Sequence, residues 1–234
     1  MPVPDQPPVV VGVDGTAAGL AAVRLAARES ISRGTVLSVI HAFTWPGGTD
    51  LAPARRAASR ILGEAVATAQ RSTPGVGVRG QLEDGPAGAV LRRWSRRAAL
   101  LVVGADELAA TGRLPPGSTL LETASQAWCP VIVARGTRPA TGRVIAAVDG
   151  SAPSVLARGF AEAEAARRGV PLDVVEVTGG DPGPVLVTAS RTAGLIVLGP
   201  RGAGGAVRFG SVAHELLLRG GCPTVFVHGL CLFR

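Results

Sequence analysis

The chain contains no lysine and no tyrosine, and only 3% of its 234 residues are aromatic. Without lysine, a phosphate loop of the GxxxxGK[ST] type is excluded in its usual form. So few aromatics cannot build a platform on which successive bases stack. Three cysteines are present, Cys129, Cys222 and Cys231, with no CxxC or Cys/His spacing that would suggest a metal. Cys129 and Cys222 each precede a proline, and we expect buried thiols at a strand entrance. No apolar run reaches the roughly 18 residues of a membrane span. The opening MPVPDQPP has neither the basic region nor the apolar core of a signal peptide. These absences lead us to expect a cytoplasmic protein without a membrane partner.

The net charge of +7 rests on arginine alone. Lysine-free usage rich in Ala, Gly and Arg looks like the codon bias of a high-GC bacterium, so the basic balance is poor evidence for a nucleic-acid partner. Arg92, Arg93, Arg96 and Arg97 cluster around Trp94. They could grip phosphates, but a solvated helix face is the plainer reading. At 47% hydrophobic and 18% charged, the composition is that of a compact globular chain.

What the chain does have is a repeat. VVVGVDGT (9–16) returns as VIAAVDGS (144–151), LLVVGAD (100–106) as LIVLGPR (195–201), and CPVIVAR (129–135) as CPTVFVHG (222–229). Three segments recurring in one order indicate a duplicated domain. In the first half, strands are expected at VVVGVD, VLSVIHAF, VGVRGQLEDG, ALLVVG and PVIVAR. Helices are expected at 16–33, 54–72, 86–97 and 118–128. Strands alternating with helices predict βαβ units and a parallel sheet. GTRPATG (136–142) reads as a linker between a first unit, 1–137, and a second, 138–234. Asp14 and Asp149 lie 135 positions apart, whereas Gly104 and Gly199 lie 95 apart, so the second half lacks 40 residues between those landmarks. PLDVVEV is its one strand where the first half has two and a helix. The expected fold is therefore α/β, two tandem Rossmann-like domains with parallel sheets, the first five-stranded and the second of about four strands. The shortened sheet would need a partner for its exposed edge.

Open parallel sheets hold ligands beyond the carboxyl ends of their strands, where the strand order reverses. Asp14 and Asp149 end the first strand of each half, and Gly104 and Gly199 end the fourth. Such an Asp can accept hydrogen bonds from a base or ribose edge, and Gly15 or Gly150 permits a tight turn. Ser118 and Ser211 then open helices whose amino ends attract anions.

These residues resemble the tandem members of the universal stress protein family, over nearly the whole chain. The family's motif at the fourth strand is Gly-x2-Gly-x9-Gly-Ser/Thr. The resemblance implies that this motif binds ATP phosphates, while the Asp ending the first strand contacts the adenosine; Mg²⁺ with the ATP stays open. In the first half it implies Asp14, Gly15, Ala42, Gly104, Gly117 and Ser118. In the second it implies Asp149, Gly150, Val177 and Gly199, then Arg201, Gly202, Gly204 and Gly205, and finally Gly210, Ser211 and Val212. It also implies pairing of the two halves through their fifth strands, a homodimer, and a role in stress response or dormancy signalling.

The two halves depart from the motif differently. In the first, Glu107 replaces the second glycine, and Asp106 and Glu107 together repel a triphosphate. In the second the glycines are present, with Arg201 and Arg208 beside them, but only seven residues separate Gly202 from Gly210. The second half is therefore expected to be the better phosphate site. Alternatives stand beside this. Asp14 and Asp149 could be plain helix N-caps. Thr119 and Glu122 have capping-box spacing. The glycines could serve helix–sheet packing alone. Gly75, Gly77 and Gly80 spell GxGxxG, but they precede a strand rather than follow one. His41, His214 and His228 form no triad with a nucleophile. Rapid turnover is not expected, although slow Mg²⁺-assisted hydrolysis and cleavage at the nucleotide α-phosphate stay open. A non-binding module that dimerises and docks partners is the alternative function.

Overall fold

Each Val-Asp-Gly segment follows a strand whose side chains are almost wholly buried, as expected of a central strand covered on both faces. The computed structural model describes residues 6–45, 47–48, 50–105, 117–135, 142–177, 182–200 and 209–228. The first half runs β1 (Val9–Gly12), α1 (Ala17–Ser32), β2 (Leu37–Phe43), α2 (Leu51–Ser72), β3 (Val78–Asp84), α3 (Ala87–Ser95), β4 (Leu100–Gly104), α4 (Thr119–Gln126) and β5 (Val131–Ala134). The second runs β6 (Val144–Val148), α5 (Ala152–Arg168), β7 (Leu172–Glu176), α6 (Pro182–Ala189), β8 (Leu195–Leu198), α7 (Ser211–Arg219) and β9 (Thr224–Phe226). Elements fall within a few residues of their expected bounds. Five strands precede residue 136 and four follow 141.

The nine strands form one sheet, in the order β3-β2-β1-β4-β5-β9-β8-β6-β7. The sheets expected for two domains are thus continuous. All neighbours are parallel except β5 and β9, which run antiparallel with Val131 opposite Phe226 and Val133 opposite Thr224. Side chains alternate between two cores, Val9 and Val11 in one and Val10 in the other. α1, α2 and α5 cover the first core, and α3, α4, α6 and α7 cover the second. Both cores draw on both halves, since Val9 clusters with Val144 and Val10 with Ile145.

A second device joins the halves on the α1 face. Glu29 and Glu164 are 135 positions apart, as are Arg33 and Arg168, the same spacing as Asp14 and Asp149. The repeated Glu-x3-Arg pairs exchange partners. Arg33 Nη2 lies 2.6 Å from Glu164 Oε1, and Arg168 Nη2 lies 2.5 Å from Glu29 Oε1. Arg33 also reaches Glu29 at 3.1 Å, and Arg167 joins Glu164. Glu164 is 1% exposed, so its charge depends on these arginines rather than on water. Burial lowers the Arg33 pKa, while Glu164 and Glu29 oppose the shift.

This packing makes the ion-pair exchange and the buried thiol testable. Replacing Glu164 with Gln takes a buried carboxylate from Arg33, Arg167 and Arg168, of which Arg33 and Arg168 keep Glu29, and should cost about 3–5 kcal/mol in urea unfolding. Glu162→Gln, which breaks the exposed Arg158 pair, should cost less than about 1 kcal/mol; equal costs would sink the exchange as a structural device. Cys222 gives the second prediction. Burial pushes its thiol up to about 12, against a counter-pull from Arg135. The folded chain therefore holds this proton more tightly than the unfolded one, whose thiol titrates near 9.0. Stability should be full below that value and decline as pH rises from it toward 12. Cys222→Ala should flatten the decline, measured by denaturant unfolding at stepped pH.

Candidate functional site

The sequence makes each first βα turn in the same way. After β1, Asp14 Oδ1 accepts hydrogen bonds from the Thr16 N–H at 3.0 Å and the Thr16 hydroxyl at 2.7 Å. With its proton so directed, Thr16 Oγ1 accepts from the Gly19 N–H at 3.1 Å and caps α1. Gly15 takes φ +88°, which only glycine adopts without strain. After β6, Asp149 Oδ1 accepts from the Ser151 N–H at 3.0 Å and hydroxyl at 2.6 Å, Ser151 caps α5, and Gly150 takes φ +77°. The N-cap alternative is thereby corrected: the caps are Thr16 and Ser151, and each Asp orients its cap from outside the helix. Asp14 is exposed, and its Oδ2 accepts no hydrogen bond from the described residues. That oxygen can serve a ligand.

The strand order reverses at β1, which has β2 on one side and β4 on the other. A crevice of about 120 Å³ opens there at the carboxyl ends of the three strands. Val13 and Asp14 form its floor beside Ile40 and Ala42 of β2 and Val103 and Gly104 of β4. Leu91 of α3 and Thr119 and Leu120 of α4 close it. His41 lies inside β2, and its Nδ1 is 2.7 Å from the Val13 carbonyl, pinning the residue before Asp14.

Of the expected first-half residues, Asp14, Ala42 and Gly104 meet in this crevice. Gly15 turns toward α2, where a Cβ would meet Ile61 at 3.2 Å. Gly117 and Ser118 border a neighbouring groove with Glu122 and Phe209. Ser118 caps α4 by accepting from the Leu121 N–H at 3.3 Å, which corrects the Thr119–Glu122 box: Thr119 is the first helical residue and lines the crevice. A Cβ on Gly104 would stand 2.8 Å from the Ala18 carbonyl carbon and oxygen. The packing alternative therefore holds for this glycine, which admits the start of α1. Sequence reasoning missed Gly19, Leu91, Thr119 and Leu120. Gly19 carried a signal, because glycine in a helix interior costs about 1 kcal/mol and calls for a reason. Here a Cβ would sit 2.6 Å from Asp14 Oδ1.

In the second half, Val177 follows β7 and its N–H donates to Val148 O at 2.7 Å. Gly199 follows β8, Gly210 is the N-cap of α7 and donates to Pro200 O at 2.9 Å, and Ser211 and Val212 open that helix. Arg201, Gly202, Gly204 and Gly205 lie outside the described residues, as do Asp106, Glu107 and Arg208. The arginine cluster is largely engaged with protein groups. Arg93 pairs with Glu83, Arg96 lies over Trp128 at 4.8 Å, and Arg97 lies over Trp94 at 4.3 Å. Among the described residues no group of three His, Cys, Asp or Glu is placed to hold a metal. No helix among them is long and apolar enough to cross a membrane.

The profile of the universal stress protein family matches residues 7–135, more than half of the chain. The chain belongs to the universal stress protein family. A universal stress protein of Mycolicibacterium smegmatis is 31% identical over 185 residues, covering 72% of this chain and 63% of the relative. One from Mycobacterium tuberculosis is 36% identical over 142 residues, covering 58% and 47%. The chain thus spans about half to two thirds of the length of these relatives. The crystal structure of a universal stress protein from Archaeoglobus fulgidus superposes with a TM-score of 0.75 at 14% identity, over 94% of this chain and 97% of that one. This likeness shows that the universal stress protein fold extends through both halves.

The steric role of Gly104 is testable. Gly104→Ala should destabilise the protein by about 1–3 kcal/mol, because α1 backbone cannot retreat from β4. Gly63→Ala, on the exposed face of α2 with nothing near its added Cβ, should stabilise by about 0.5–1 kcal/mol. Thermal unfolding of both variants checks the opposite signs.

Proposed function

We propose that this universal stress protein binds an adenine nucleotide, ATP with Mg²⁺, with the base in the first-half crevice. The supporting observation is the place of that crevice at the strand-order reversal, with Asp14, whose Oδ2 accepts no hydrogen bond from the described residues, in its lining. Cavities of about 150 Å³ admit a benzene-sized ring, so the crevice of about 120 Å³ takes only part of a flat base, the rest of the nucleotide lying outside it. Val13, Ile40, Leu91 and Leu120 offer apolar faces to such a ring. Sugar and phosphates then extend outward past the amino end of α4, whose free N–H groups favour anions. Asp106 and Glu107 follow Gly104 in sequence, and their charge opposes each added phosphate. The second half is the expected phosphate site on its glycines, but three of them, Gly202, Gly204 and Gly205, lie outside the described residues.

In this reading the chain comprises two units, 1–137 and 138–234, paired as a pseudo-dimer and associating further as a homodimer. Occupancy of the site signals in stress response or dormancy, in the cytoplasm. A second reading, a module that docks partners without nucleotide, has one observation in its favour. Among the described residues the second half has no counterpart of α2; Val155 on α5 is 64% exposed in an open groove, and Val174 on β7 is 41% exposed.

Calorimetric titration of nucleotide-free protein with MgATP, AMP and adenosine tests the proposal. We expect one site per chain, weakened roughly tenfold or more by Asp14→Ala, as befits a lost hydrogen bond to a charged group, and changed little by Asp149→Ala. The reverse order would move the site to the second half. Absence of heat with all three ligands, confirmed by a second binding assay, would favour the docking module.

A further inference from the structure

Arg135 and His228 occupy equivalent places in the repeat, each six residues after a Cys-Pro pair's cysteine. The antiparallel register of β5 and β9, continued outward from Val131–Phe226 and Val133–Thr224, sets Cys129 opposite His228 and Arg135 opposite Cys222. Each basic side chain therefore emerges beside the other half. His228 is 4% exposed, and its Nε2 lies 3.0 Å from the carbonyl of Ala124, in the last turn of α4. A carbonyl only accepts, so Nε2 carries the proton in this bond. Arg135 makes the reciprocal contact, its Nη2 donating to the carbonyls of Leu216, at 3.4 Å, and Leu217, in the last turn of α7. The last carbonyls of a helix have no partner within it. Leu216 also accepts from the Gly220 N–H at 2.9 Å, so Ala124 and Leu217 are the carbonyls for which each half supplies a partner to the other.

The other end of α4 carries the consequence. Its first residues, Thr119 and Leu120, close the crevice over Asp14 and Gly104. With eight residues α4 spans only about 12 Å and moves as one piece. Where Ala124 is held decides where Thr119 and Leu120 stand. Every residue lining the crevice belongs to the first half.

We propose that His228 is a positioning residue for the first-half crevice. It fixes α4 by its carboxyl end, so that the second half sets the ligand affinity of a site it does not line. The inference rests on the adenine-nucleotide reading for its ligand, and on the His228–Ala124 bond for its mechanism.

Three full-length variants test it. His228→Phe keeps a ring and removes the donor, His228→Gln restores an N–H, and Arg135→Met removes the reciprocal contact. Hydrogen exchange of the α4 amides is read without ligand, and MgATP and adenosine affinities are read by calorimetry. For H228F we expect α4 exchange to quicken and affinity to fall, each about tenfold, the scale of one buried carbonyl left unpaired. H228Q should recover much of both. R135M should quicken exchange in α7 and leave α4 unchanged. The proposal is overturned if H228F leaves α4 exchange unaltered, if it quickens exchange equally throughout the chain, or if α4 loosens while affinity stays the same. Should the parent protein bind none of the ligands, the nucleotide reading fails and the affinity claim with it, while the α4 exchange comparison still decides whether His228 holds the helix. Should H228F not fold, H228Q compared with His228→Leu provides the same contrast.

Discussion

Three residue pairs, Val131–Phe226, Ile132–Val225 and Val133–Thr224, set the frame for the whole molecule. Every other ladder among the described strands is parallel, and the β5–β9 ladder is where the halves join. That ladder relates the halves by an approximate two-fold rotation. Under that rotation equivalent residues face each other's partners. The Glu29–Arg168 and Glu164–Arg33 exchange lies on one face of the sheet, and the Arg135 and His228 caps lie on the other. A single slip along β5 would turn Ile132 to the opposite face and misalign both sets together. Buried ion pairs contribute less net stability than apolar residues of the same volume. What the Glu–Arg exchange supplies instead is a penalty on misregister, since Glu164 displaced from Arg33, Arg167 and Arg168 would be a buried charge without a partner.

The turn after β1 shows how one set of contacts both caps a helix and shapes the crevice. Asp14 holds Thr16, Thr16 caps α1, and Gly19 and Gly104 leave room for that helix to approach the strand ends. These are structural duties, and they account for the glycines without any ligand. They also use only one oxygen of Asp14. The close approach of α1 to β4 walls the crevice, so the packing that demands glycine at 104 also gives the cavity its shape. A structural reason for a residue is therefore no argument against a binding role.

Much of this was legible in the sequence because it depends on local period and on repetition. Buried β-branched runs announced the strands, and the change of spacing from 135 to 95 announced the missing helix and strand of the second half. Asp14 and Gly104 share a crevice because strand ends converge at an order reversal, and Ala42, which only the resemblance implies, lies beside them. The parts that were not legible depend on side chains meeting across long separations. Leu91 and Leu120 carry nothing in the sequence that sets them apart from the other leucines, and only the fold brings them to the crevice. His228 read as scattered, since nothing in VFVHG reveals that Ala124, 104 positions earlier, offers it a carbonyl. Ser118 was seen as opening a helix, but the choice between Ser118 and Thr119 as the cap is a matter of backbone angles that composition does not set.

The duplication also explains why the two halves need not act alike. In the first half α2 packs on α1 and β3, with Ile61, Leu62 and Val66 against the core, and Gly15 turns against Ile61. At the corresponding Gly150 an added Cβ would have nothing within 4 Å, and this glycine borders an open groove instead. The same Val-Asp-Gly turn is therefore braced in one half and unbraced in the other. A turn whose Asp is oriented by its cap but whose glycine lacks a packing neighbour can shift at little cost, because lost dispersion contacts are what resist such movement. Preorganisation lowers the free energy that ordering consumes on binding. On that ground the base site we propose falls to the braced first half, and the positioning role we propose falls to the second.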